Sequence, residues 1–174
     1  MFGGTVDSLS YIFGGSGNDF VSLTAGRLIG SSSLIAASGN DTIFIKGDVG
    51  GSGITEGRAL VDGGLGNDLV SIDGNLLASS SLLAGAGADT IYVNQLSSNA
   101  LLDGGDDADS ITVRGTVSES SLLGGSGNDT ITFAGKVTNS SVNAGEGSNN
   151  LVFASGVAGS TVLAAAGNDL FSIS

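Results

Sequence analysis

GGSGNDFVS at Gly14–Ser22, GGLGNDLVS at Gly63–Ser71 and GGSGNDTIT at Gly124–Thr132 are renderings of one nine-residue phrase, and the reading of the whole chain follows from it. Looser forms of its first six residues stand at Ala36–Asp41 (AASGND), Ala84–Asp89 (AGAGAD), Gly104–Asp109 (GGDDAD), Ala144–Asn149 (AGEGSN) and Ala164–Asp169 (AAAGND). Their last positions are Asp19, Asp41, Asp68, Asp89, Asp109, Asp129, Asn149 and Asp169, at intervals of 22, 27, 21, 20, 20, 20 and 20 residues. A fixed period of this length is the mark of a repeat architecture in which each unit stacks on its neighbours.

Two and four residues beyond each of those positions lie Val21 and Leu23, Ile43 and Ile45, Val70 and Ile72, Ile91 and Val93, Ile111 and Val113, Ile131 and Phe133, Leu151 and Phe153, and Phe171 and Ile173. Every one is apolar. Strict alternation predicts a half-buried strand after each turn.

A second strand precedes each turn. Seven residues before the final position stand Ile12, Leu34, Val61, Leu82, Leu102, Leu122, Val142 and Val162, and two residues earlier Ser10, Ser32, Ala59, Ser80, Ala100, Ser120, Ser140 and Ser160. The uniformly small row shares the parity of the apolar row, so it is expected to face inward, with its hydroxyls bonded to backbone or to one another. Between the two strands a glycine recurs at Gly26, Gly47, Gly74, Gly115, Gly135 and Gly156, just before Leu28, Val49, Leu76, Val117, Val137 or Val157. It is taken as a second corner where positive φ is needed. Turn, strand, corner, strand, repeated about eight times over coils of about 20 residues, predicts an all-β parallel β-solenoid, a β-roll or β-helix with two parallel sheets. The chain is read as a single domain over 1–174, with a loop insertion around 50–58 (GGSGITEGR at Gly50–Arg58) in the longest interval.

Composition excludes several classes of function. The 174 residues include 31 glycines and no proline, cysteine, histidine or tryptophan, and the net charge is -12. An acidic chain repels phosphate backbones, so nucleic acid is not an expected partner. Without cysteine there is no disulfide frame and no thiolate metal site. No run of about 18 apolar residues occurs, so membrane insertion is not expected, and the first residues show no basic start with an apolar stretch. The apolar fraction of 40% supports a packed interior and argues against disorder.

The turn phrase resembles the RTX family of secreted calcium-binding repeats, GGxGxDxUx with U large and apolar. The resemblance implies calcium as cofactor, with Asp19, Asp41, Asp68, Asp89, Asp109, Asp129 and Asp169 as carboxylate ligands. The turn backbone at Gly15, Gly17, Gly39, Gly64, Gly66, Gly85, Gly87, Gly105, Gly125, Gly127, Gly145, Gly147 and Gly167 would complete the sites. The chemistry agrees, because calcium takes six to eight hard oxygens from carboxylates and carbonyls, and a file of carboxylates about 5 Å apart repels itself without a counter-ion. The chain departs from the family in carrying one motif per coil, so ions are expected on one edge alone. Asn149 replaces an aspartate, Asp107 stands at a glycine position, and alanines at 36–37 and 164–165 weaken two further turns. The plainer alternative is that Asn-Asp makes good turns by bonding its own backbone, without metal. Glu56, Asp62, Asp73 and Glu119 are read as solvated, and Arg27, Lys46, Arg114 and Lys136 as solubilising charges near the glycine corner.

The expected role is a calcium-binding structural or adhesive module of a secreted or cell-surface bacterial protein, either a piece of a longer array or a subunit assembling end to end into a fibre or surface layer. Surface polysaccharide is a candidate partner. An enzyme is not expected: the acids obey the repeat, and the cluster Asp103, Asp106, Asp107 and Asp109 is the one candidate for catalysis. Alternatives are a non-catalytic module of a polysaccharide-modifying enzyme and an ice-binding RTX-like adhesin segment. The variable turn position holds Ser16, Ser38, Leu65, Ala86, Asp106, Ser126, Glu146 and Ala166, a row too irregular to match a lattice.

Overall fold

A computed structural model describes residues 5–6, 9–51 and 57–174. The strands wind into a stacked file of coils with two parallel sheets. One sheet has eight strands: Tyr11–Ser16, Ser33–Ser38, Leu60–Leu65, Ser81–Ala86, Leu101–Asp106, Ser121–Ser126, Ser141–Asn143 and Thr161–Leu163. The other, of eleven strands, carries the segments after the turns, from Phe20–Leu23 to Leu170–Ile173. The strand pairings are parallel and in register, as with Ile111 between Ile91 and Ile131, apart from one shift between Ile72 and Asn75.

The predicted apolar rows form the core. Leu23, Ile43, Ile45, Val70, Ile72, Ile91, Val93, Val113, Ile131, Phe133, Leu151 and Phe153 are fully buried, and Leu34, Val61, Leu82, Leu102, Leu122 and Val142 meet them from the facing sheet. Phe133 and Phe153 stack with ring centroids 4.9 Å apart. Phe171 and Ile173, in the last coil, stay exposed. The larger sheet also bends at the glycine corner and runs on into a short third row, Leu28, Val49, Leu76, Leu96, Val117 and Val137, whose members pair coil to coil and are fully buried.

The small row faces inward as expected. Ser32, Ser80, Ser120 and Ser140 are buried, as are Ala59 and Ala100. The Ser140 hydroxyl works in two directions: its Oγ accepts from the Ser120 N–H at 3.2 Å and donates to the Thr138 carbonyl at 2.7 Å.

The reason offered for the corner glycines needs correction. Among Gly26, Gly47, Gly74, Gly115, Gly135 and Gly156, positive φ occurs at Gly156 alone. Gly47, Gly74, Gly115 and Gly135 are needed for space: a Cβ at Gly115 would come to 2.9 Å of the Asn94 carbonyl oxygen, and one at Gly135 would strike the Gly115 backbone. The left-handed corner lies further on, at Ser31, Gly57, Ser79, Asn99, Glu119, Asn139 and Gly159, one or two residues ahead of the small row.

Two acids read as solvated are not free. Asp73 pairs with Lys46 at 2.9 Å and with Arg114 at 3.3 Å, and these cations hold its carboxyl below the usual range. Arg114 also lies over the Tyr92 ring, and Arg27 pairs with Asp48 at 3.4 Å. Asp62 is half-buried beside Leu83 and Asp103 on the outer face of the eight-stranded sheet, and burial raises its pKa. Glu119 is exposed. In the insertion, Gly50, Gly51, Gly57 and Arg58 lie outside any strand, and Glu56 falls outside the described residues.

Candidate metal-binding column

Each turn must reverse the chain within six residues while its coil sits about 4.8 Å from the next. That demand explains the glycines. All thirteen glycines assigned to the turn backbone have positive φ, from 87° at Gly145 to 145° at Gly167. Gly125 shows the second constraint: besides φ 115°, a Cβ there would overlap the Gly105 backbone of the coil beneath. Ala37 and Asp107, standing at glycine positions, keep the left-handed backbone at φ 87° and 73°.

The aspartates at the ends of these turns are superposed in one file and point inward. Asp41, Asp68, Asp89, Asp109, Asp129 and Asn149 are each at most 3% exposed, and Asp19 and Asp169 near the ends are half-buried. From Asp41 onward one oxygen of each is engaged. Asp41 Oδ1 accepts from the Asp19 N–H, Asp68 from Asp41, Asp89 from Asp68, Asp109 from Asp89 and Asp129 from Asp109, at 2.6 to 2.9 Å. Asn149 and Asp169 continue the ladder at 2.8 and 2.9 Å.

The residue before each aspartate was missed as a structural element. Asn18, Asn40 and Asn67 accept from the N–H of the following coil, at Asn40, Asn67 and Ala88, and Asn128 does the same for Ser148. An Asn-Asp pair therefore grips both neighbours: asparagine forward along the chain, aspartate back. The repeated Asn-Asp was visible in the sequence, where it signalled only a turn.

The second carboxylate oxygen is the telling feature. Oδ2 of Asp19, Asp41, Asp68, Asp89, Asp109 and Asp129 is buried and has no hydrogen-bond partner. A buried polar atom left unpaired is costly, and six stacked in a row call for a common explanation. A methyl built on Gly63, Gly104 or Gly124 would come within 2.5 to 2.6 Å of that oxygen in its own turn, and nearer still to the carbonyl oxygen of Ala84, Gly124 or Ala144 in the next coil. Carboxylate and carbonyl oxygens thus converge over each glycine with no donor between them. Such a set of hard oxygens suits a calcium ion. Among the described residues no three acidic side chains gather at one point, so a site here combines carboxylates from the file with backbone carbonyls.

The electrostatics point the same way. Burial raises Asp68 and Asp129; it lifts Asp89 to about 6, with Asp68 and Asp107 adding to the rise, and Asp109 to about 7, with Asp89, Asp129 and Asp107 contributing. The ladder N–H of the preceding coil opposes the shift in each case. A bound cation would reverse it.

The four acids weighed for catalysis are parted. Asp109 belongs to the buried column, Asp103 and Asp106 border an outer-face groove with Asp62, and Asp107 is exposed at the turn. No helix among the described residues is long and apolar enough to cross a membrane.

Glycine turns stacked on one edge, all but one tipped by an inward carboxylate, define a parallel β-solenoid with an acidic turn column. The RTX calcium-binding nonapeptide repeat matches in four copies over residues 10–27 and 80–95, which include the first and fourth turns. These stretches are similar to a family of calcium-binding repeats, and the match implies calcium as the cofactor. No curated protein and no solved structure matches it.

Proposed function

We propose that the aspartate file is a column of calcium sites shared between successive coils, and that the module is a calcium-stabilised, non-catalytic rod in a secreted or cell-surface protein. The observation that carries this reading is the row of buried, unpartnered Oδ2 atoms. Asp19, Asp68, Asp109 and Asp129 lie in turns that open with glycine (Gly14, Gly63, Gly104, Gly124), where the cradle is free of a side chain. Asp41, Asp89 and Asp169 follow Ala36, Ala84 and Ala164, whose methyls occupy that place, so these sites are weaker. Ions line this one edge.

Calcium in the ~10⁻⁴–10⁻³ M range typical of extracellular modules suits such sites. Exposed apolar side chains on the last coil, Leu163, Leu170, Phe171 and Ile173, support end-to-end association. Polysaccharide is the proposed surface ligand, since the outer faces are rich in Ser, Thr and Asn.

Equilibrium dialysis tests the sites. Replacing Asp68 and Asp109 together by Asn lowers the number of bound calcium ions; an unchanged number rejects the assignment.

A further inference from the structure

Asn149 takes the same place in the column as the aspartates, yet it is wired differently. Its Oδ1 accepts from the Asp129 N–H at 2.8 Å, as each carboxylate accepts from the coil before. Its Nδ2 therefore stands where the other rungs hold Oδ2, and it donates to the Gly145 carbonyl at 3.3 Å. At 2% exposure it is as buried as its neighbours. Six rungs carry an orphaned oxygen at this point, while the seventh carries a donor that closes its own turn.

We infer that Asn149 is a built-in substitute for the ion: its amide presents a donor hydrogen, bonded to its own turn, at the point where the other rungs present an orphaned oxygen, so the seventh coil closes without calcium. The inference rests on the calcium reading for the other rungs. It goes beyond that reading in assigning this coil a metal-independent closure. An Asn at this position is thus a gain for the apo chain as well as the loss of a ligand. The file is divided into an unbroken run from Asp19 to Asp129 that needs ions and a rung beyond it that does not.

The test uses the full chain, calcium as the probe, and two opposite exchanges, Asn149→Asp and Asp109→Asn, at about pH 8.5 so that ordinary carboxyls are ionised. In EGTA, with trimethylamine oxide added to raise folding if needed, Asn149→Asp is expected to melt about 3–8 °C below the native chain, because it adds a seventh buried unpaired oxygen to the six of the column. Asp109→Asn is expected to melt above it. In calcium dialysis Asn149→Asp binds at least one ion more than the native chain, and Asp109→Asn fewer. An Asn149→Asp chain that melts unchanged in EGTA, or that gains no ion, overturns the inference. If the native chain binds no calcium at all, the column reading fails, and the EGTA melts alone still decide the role of the amide.

Discussion

Two polar files run up the inside of this rod, one of serine and one of aspartate, and they are built on the same plan. In both, a side-chain oxygen accepts the N–H of the preceding coil: Ser80 Oγ from Ala59 at 2.9 Å, Asp89 Oδ1 from Asp68 at 2.7 Å. The difference is a proton. The serine hydroxyl has its own and spends it on a nearby carbonyl, as Ser120 does on Ser118 at 2.8 Å. An ionised carboxylate has none, so its second oxygen faces other oxygens unpaired. The serine side is complete by itself; the aspartate side is complete only with a cation or a proton. Placing both files in one coil makes a fold whose two edges answer to different conditions.

The comparison can be broken most severely at the turn backbone that holds the aspartates. Gly125→Ala combines a left-handed φ with overlap on the Gly105 backbone. It should cost on the order of 3 kcal/mol in calcium and chelator alike, measured by denaturant unfolding. Next come matched truncations of the two files. Ser120→Ala should cost about 1 kcal/mol whether or not calcium is present. Asp109→Ala should cost about 1–3 kcal/mol in calcium and little in chelator, where it also removes an orphaned oxygen. Equal calcium dependence of the two variants would erase the distinction between the files.

Acidity sharpens it further. Asp89 and Asp109 have folded-state pKa values raised to about 6 and about 7. Their protonated forms are favoured in the coil, so the stability they confer is present below the unfolded value near 4 and is lost as pH rises through 6 to 7. In chelator the melting temperature should fall from pH 5 to pH 8, whereas in calcium the loss should vanish because the ion replaces the proton. The smallest effect is on the opposite corner. Asp73→Asn breaks exposed pairs with Lys46 and Arg114 and should change stability by at most about 1 kcal/mol, calcium or not.

Much of this was legible before any coordinates. The period and the alternation around Ile91 and Val93 specify strands, stacking and core, because burial on one face leaves a strand no other register. The column itself follows from Asp recurring at one phase. What was hidden depended on neighbours in space. The left-handed corner is occupied by Ser31, Gly57, Ser79, Asn99, Glu119, Asn139 and Gly159, too varied a set for its backbone to be read from residue type. Gly115 and Gly135 were recognisable as a corner, but their cause is contact with the adjacent coil, which no single coil contains. The same holds for Asn149, whose sequence shows a missing carboxylate while only the packed turn shows the donor that replaces it.

The most direct test of the account is far-ultraviolet circular dichroism of the native chain during a calcium titration at about pH 8, a pH at which even a carboxyl raised to about 7 is largely ionised. The account predicts that β signal rises with calcium and is reversed by chelator, while magnesium, which demands tighter octahedral geometry, does not replace it. A spectrum fully β and unchanged by calcium at that pH, with no ion bound in dialysis, would contradict it.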